Sequence, residues 1–176
     1  MPRKPCTPIN PIYYIYVLAI EGDGWYVGAT RSLDSRILRH FFGGGSMATR
    51  QRKALYIADL YRFQDYAIGR FRAYQRAEIM VAHHYAQQYG VEEVRGGKHG
   101  AGWGDALTNG NLRDISRCIG FAATPEGEAL LRALSRVSPS DTLSERTKSI
   151  LTQAQIGEDS LRPRGLLMDW KIIPAL

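Results

Sequence analysis

Residues 14–40 read YIYVLAIEGDGWYVGATRSLDSRILRH, and this stretch decides the fold. Residues 13–20 are rich in tyrosine, isoleucine and valine, the composition of a strand. Glu21-Gly22-Asp23-Gly24 is a turn signal, and Trp25 to Gly28 predicts a second short strand. Ser32 is placed to cap a helix running to about Phe42, with Leu33, Ile37 and Phe41 at i, i+4 and i+8 as its apolar stripe. A tight turn between the strands lets Tyr16 and Tyr26 face one pocket, and Arg36 and His40 lie one turn apart on the helix.

Outward from this stretch the chain divides into four segments. Residues 1–12 hold four prolines within the first eleven positions and read as an extended arm. The core is expected over 13–97. Within it Gly43 to Gly45 end the first helix and open a flexible loop to Lys53. Residues 54–63 read as either a strand or a short helix, and a long helix is expected over 66–89, stopping at Gly90. Six glycines lie between Gly96 and Asn111, marking 98–111 as a boundary or a substrate-facing loop. Beyond it, 112–176 is mainly helical, with helices expected over 112–119, 124–137 and 141–157. Thr124-Pro125-Glu126 and Asp141 supply the start signals. The expected fold class is α/β, a small antiparallel β-sheet flanked by α-helices, with a mainly helical C-terminal extension. That extension is a target-reading appendage, a dimerisation element or an extra layer of the fold.

The composition is 44% apolar, enough to fill a core. No apolar run approaches the ~18 residues that span a bilayer, and no secretory signal is visible behind the first residues. Cys6 and Cys118 are too few for a disulfide framework and too isolated for a zinc site. A cytoplasmic protein without a membrane partner is therefore expected. The charge is more telling than its net +6. Between Arg31 and Arg76 lie nine arginines and Lys53 against Asp34, Asp59 and Asp65, and arginine outnumbers lysine 18 to 5 overall. Guanidinium forks suit phosphate oxygens. A basic run alone is usually a solvated face, but this one overlaps the expected core and points to a polyanion-binding groove. Arg31, Arg39, Arg50, Arg52, Lys53 and Arg95 are the candidate nucleic-acid contacts.

Taken singly, the chemical candidates have structural explanations: strand aromatics for Tyr16 and Tyr26, helix-surface groups for Arg36, His40 and Glu78. Their combination is more specific. A phenol with a pKa near ~10 is a poor base unless nearby positive charge lowers it. A guanidinium can neutralise charge developing on a phosphate, and a histidine can hold the phosphate or shuttle a proton. Glu78 sits on the long helix beside Ala77, Val81, Ala82 and Tyr85, a packed face that would hold it rigidly. One carboxylate with several waters is a common way to hold Mg²⁺ beside a phosphate.

Tyr14-Ile15-Tyr16, Tyr26-Val27-Gly28, Arg36, His40 and Glu78, followed by Val94-Arg95-Gly96-Gly97, resemble the GIY-YIG nuclease family over roughly residues 13–97. Two departures stand out. Tyr14 replaces the first glycine, and Glu93 stands where phage and homing members typically have asparagine. The loop Gly43–Lys53 is similar to the glycine-serine-threonine-arginine loop of several subfamilies. The resemblance implies a divalent-metal-dependent endonuclease of restriction, phage or repair type, acting on DNA, double-stranded by preference. It further implies Tyr16 as the group that takes a proton from water, Tyr26, Arg36 and His40 on the phosphate, and Glu78 as ligand of Mg²⁺ (or Mn²⁺). An oligomer is compatible with this, a dimer if the target is palindromic. The alternatives are a catalytically inactive nucleic-acid-binding module, or a regulatory DNA-binding protein reading sequence through residues 112–176.

Overall fold

A computed structural model of the chain describes residues 10–68, 71–154 and 156. Strand β1 (Ile12–Ile20) turns through Glu21–Asp23 into β2 (Gly24–Thr30). Helix α1 (Leu33–Phe41) and the short α2 (Met47–Gln51) lead into β3 (Ala54–Gln64), so the ambiguous segment is an eleven-residue strand. A two-stranded hairpin, β4 (Ala67–Ile68) and β5 (Phe71–Arg72), precedes α3 (Ala73–Tyr89). A single 3₁₀ turn (Val91–Glu93) then enters β6 (Val94–Gly96). After the glycine-rich loop come α4 (Asn109–Ala122), α5 (Pro125–Ala133), β7 (Ser135–Arg136), α6 (Pro139–Thr142) and α7 (Glu145–Gln153).

The protein is α/β, and its sheet is mixed where an antiparallel one was expected. Its order is β6-β2-β1-β3-β7, and β6 runs parallel to β2. The parallel pairing follows from α3, which carries the chain back along the sheet before β6 is laid down. The long helix begins at residue 73, not 66, because Asp65 organises the preceding turn. Its buried carboxylate accepts from the Tyr74 amide at 3.0 Å and from Arg72 Nε at 2.7 Å. The expected 141–157 helix is two pieces, with Ser144 and not Asp141 capping the longer one through the Thr147 amide.

Side chains alternate across the central strands and divide the core in two. Ile15, Val17 and Val27 meet α3, α4 and α5 on one face. Tyr16, Leu18 and Tyr26 meet α1, with Leu143 and Leu151, on the other. The described part of the extension is therefore packed onto both faces of the sheet. Two polar ties reinforce it. Arg136 Nη2 reaches the fully buried Asp59 carboxylate at 2.5 Å, and Ser144 donates through N (2.9 Å) and Oγ (2.6 Å) to Asp34 of α1. No helix among the described residues is long and apolar enough to cross a membrane. Residues 1–9 of the arm and the tail beyond Ile156 lie outside the described residues, and Ile12 already belongs to β1.

Candidate active site

Tyr16 on β1 stands directly opposite Gly28 on β2. A Cβ at position 28 would collide with the Tyr16 hydroxyl and ring, so the glycine provides the space into which the phenol leans. Tyr26, two residues before Gly28, shares that face, its ring 6.3 Å from that of Tyr16. Helix α1 lies across the same face. Leu33 and Ile37 anchor it, and its i, i+4 pair brings Arg36 and His40 to the tyrosines.

Two side chains converge on one oxygen. Arg36 Nε donates to the Tyr16 hydroxyl at 3.0 Å, and His40 Nε2 lies 2.8 Å from it. Thr49 Oγ1 lies 3.2 Å from the Ser46 carbonyl and 2.8 Å from His40 Nδ1. With the hydroxyl hydrogen assigned to the Ser46 carbonyl, Nδ1 carries the imidazole hydrogen and Nε2 accepts from Tyr16. Thr49 is held there by α2, whose N-cap Ser46 accepts from the Thr49 amide. Gly45 admits this arrangement, since a Cβ there would overlap His40 and come within 2.6 Å of the Thr49 hydroxyl.

The electrostatics follow from burial. Tyr16 and His40 are almost completely shielded from solvent. Burial, with Tyr26 alongside, raises the Tyr16 pKa well above the usual phenol value, although Arg36 works in the opposite direction. Burial and then the Arg36 and Arg39 charges press His40 down to about 3, so it is a neutral proton acceptor. A Tyr16 hydroxyl that donates to His40 and accepts from Arg36 keeps one lone pair free.

Glu78 comes from α3. Desolvation pushes its carboxyl up to about 7, against a hydrogen bond from the Gly97 amide and the attraction of Arg36 and Lys98. The backbone at Gly97 turns with φ +49°, and a Cβ there would meet Ala82 Cβ at 2.6 Å and the Glu78 carbonyl at 2.7 Å. The glycine thus permits the close approach between the loop after β6 and α3. Tyr16 and Glu78 also lie within electrostatic range of each other. Among the described residues no three His, Cys, Asp or Glu side chains gather as a metal site. A divalent ion would rest on Glu78 alone with water and phosphate oxygens, a donor set that suits Mg²⁺.

The other expected contacts are distributed unevenly. Arg31, Arg39, Arg50 and Lys53 are exposed, and Arg52 lies 4.2 Å above the Trp103 ring. Arg95 departs from expectation. It is buried, donating through Nε to the Gly102 carbonyl (2.7 Å) and through Nη1 to the Val94 and Val91 carbonyls (2.6 and 3.2 Å). With its plane near Trp103, it fastens the glycine-rich loop and is not open to a ligand. Glu93 precedes β6, at the opposite end of that strand from Gly97. Thr49 was not singled out by sequence reasoning, although it lies in the loop motif from Gly43 to Lys53; Gly45 and Gly97 were quoted within motifs but assigned no packing role. No protein-family model, curated protein or solved structure matches this chain.

Proposed function

We propose that this protein is a divalent-metal-dependent endonuclease of the GIY-YIG type that hydrolyses phosphodiester bonds in DNA. The observation that carries the reading is the convergence of Arg36 and His40 on the Tyr16 hydroxyl, with Tyr26 beside it and Glu78 within electrostatic reach. The buried His40 is neutral and hydrogen-bonded to the phenol. It can take a proton from Tyr16 only when bound phosphate raises its basicity from the value of about 3 in the empty site.

In the reaction, a water gives its proton to the free lone pair of Tyr16 while the Tyr16 proton passes to His40 Nε2. The water oxygen bonds to phosphorus as the bond from phosphorus to the leaving oxygen breaks. The leaving oxygen takes a proton from solvent, and His40 releases its proton to solvent to restore the site. An empty site disfavours a charged His40, because Arg36 and Arg39 already supply positive charge. A phosphodiester neutralises part of that charge and so makes the transfer easier. Arg36 and Tyr26 orient the phosphate, and Arg36 opposes the negative charge that builds on it. Glu78 would hold Mg²⁺ or Mn²⁺, which when bound supplies electrostatic stabilisation at the phosphate. Exposed Arg31, Arg39, Arg50 and Lys53 give the surrounding surface its affinity for a polyanion.

One observation favours the rival reading of an inactive nucleic-acid-binding module: the Tyr16 residue is 0% exposed, whereas water must reach its hydroxyl. The two readings separate on supercoiled plasmid with Mg²⁺. Nicking or linearisation that EDTA abolishes supports the nuclease. Plasmid bound but left intact, with structured and single-stranded substrates also uncut, supports the binding module.

A further inference from the structure

A second cavity, of about 370 Å³, lies between α3 and α4. Phe71, Ile79 and Phe121 form apolar parts of its lining, and Arg76, Lys98 and Arg117 bring three cations. The Arg76 guanidinium lies 4.2 Å from the Phe121 ring centre and 5.1 Å from that of Phe71, which holds it flat against the aromatic wall. Its buried Nε has no hydrogen-bond partner among the described residues. Phe71 keeps 44% of its surface exposed, leaving ring area for a ligand. Asp114 is the one carboxylate in the lining among the described residues, and it faces Lys98 at 3.5 Å. Lys98 follows Gly97, which packs against Glu78 of α3, so this cavity adjoins the candidate active site.

From this geometry we infer that the α3–α4 cavity receives a single unstacked base of the bound strand, next to the nucleotide whose phosphate meets Arg36 and Glu78. The inference rests on the nuclease reading and deepens it by assigning the strand a second contact. Aromatic rings stack on any base, and Lys98 and Arg117 suit the flanking phosphates. The size fits one planar ring system at the small end of ligand cavities. The same chemistry would attract a free nucleotide, so the test must separate the two.

The probes are two fluorescein-labelled thymidine oligonucleotides about 20 nucleotides long, above the ~4–16 nucleotides occupied by a typical single-strand fold. One is intact, and the other has alternate bases replaced by abasic sites. Binding is read by anisotropy in EDTA, which keeps the strand whole. Wild type is expected to prefer the intact strand by at least about fivefold, the effect of one stacked base. Phe71→Ala, at an exposed position, should reduce that preference towards unity while leaving abasic-strand affinity in place. Equal binding of both strands by wild type, or a preference that survives Phe71→Ala, would overturn the base pocket. Displacement by thymidine monophosphate at the strand's own concentration range would overturn the strand assignment in favour of a mononucleotide. Equal binding alongside Mg²⁺-dependent cleavage would sink the pocket alone. Absence of both binding and cleavage would sink the nuclease reading with it.

Discussion

The hydroxyl of Tyr16 and the Nε2 of His40, brought together from β1 and α1, lie 2.8 Å apart, and Thr49 Oγ1 lies 2.8 Å from the other ring nitrogen, Nδ1. Thr49→Val keeps the shape but removes the acceptor for His40 Nδ1–H. A buried donor left unpartnered costs about 1–3 kcal/mol, and the imidazole is freed to adopt the other tautomer. Cleavage should fall by at least about tenfold, in line with the usual contribution of a positioned acid–base group. Far-ultraviolet dichroism should be unchanged. An unaffected rate would remove Thr49 from the relay.

Gly28 is required for space, not for an unusual turn. In Gly28→Ala the new methyl would occupy the position of the Tyr16 hydroxyl. The ring must then shift, and a displacement of about 1 Å at a reacting group can cost about 100-fold in rate. The prediction is a folded protein that retains affinity for DNA and has lost most of its cleavage. Wild-type turnover in Gly28→Ala would mean that the Tyr16 position is not critical.

Glu78 makes stability depend on pH with a definite sign. Its folded pKa of about 7 lies above the ordinary 4.5, so between these values the folded state binds more protons than the unfolded state. Stability attributable to this group therefore declines as pH rises through that window. Glu78→Gln should melt higher than wild type above pH 7 in EDTA, by about 2–4 °C per kcal/mol for a chain of this size. The difference should vanish below pH 4.5. His40 contributes an opposite trend, losing stability as pH falls from 6.5 towards 3, but it does so in both proteins. Mg²⁺ should raise the melting temperature of wild type above pH 7 and leave Glu78→Gln unmoved. A melting difference independent of pH would contradict the burial of an ionisable Glu78.

Arginines near the site divide into structural and binding groups. Arg95→Ala should lower stability by about 1–3 kcal/mol by leaving buried carbonyls unpartnered, while the salt dependence of DNA binding stays as in wild type. Arg50→Ala and Lys53→Ala should behave the other way, each reducing the slope of log affinity against log salt by about one and sparing stability. Denaturant titration and anisotropy at several salt concentrations read both effects.

The β1–turn–β2–α1 unit was legible because its signals are local: strand composition, a glycine turn and an apolar stripe at helical spacing. The candidate site was legible for the same reason, since Tyr16, Tyr26, Arg36 and His40 fall within that one unit. What was missed depends on distant partners. The start of α3 is set by Asp65 accepting from Tyr74, which no propensity reveals. The two-residue β7 exists through pairing with Tyr61 and Arg62, far back in sequence. Arg95 looked like a phosphate ligand beside two glycines until Trp103 and the Gly102 carbonyl were seen to enclose it.

In the proposed mechanism Tyr16 takes part in the chemistry. The most direct test is cleavage of supercoiled plasmid in Mg²⁺ by wild type and by Tyr16→Phe, with DNA affinity measured in EDTA for both. Nicking or linearisation by wild type is expected, with a loss of about 100-fold or more in Tyr16→Phe at unchanged affinity. Equal cleavage by the two proteins, or intact plasmid with wild type, would contradict this mechanism.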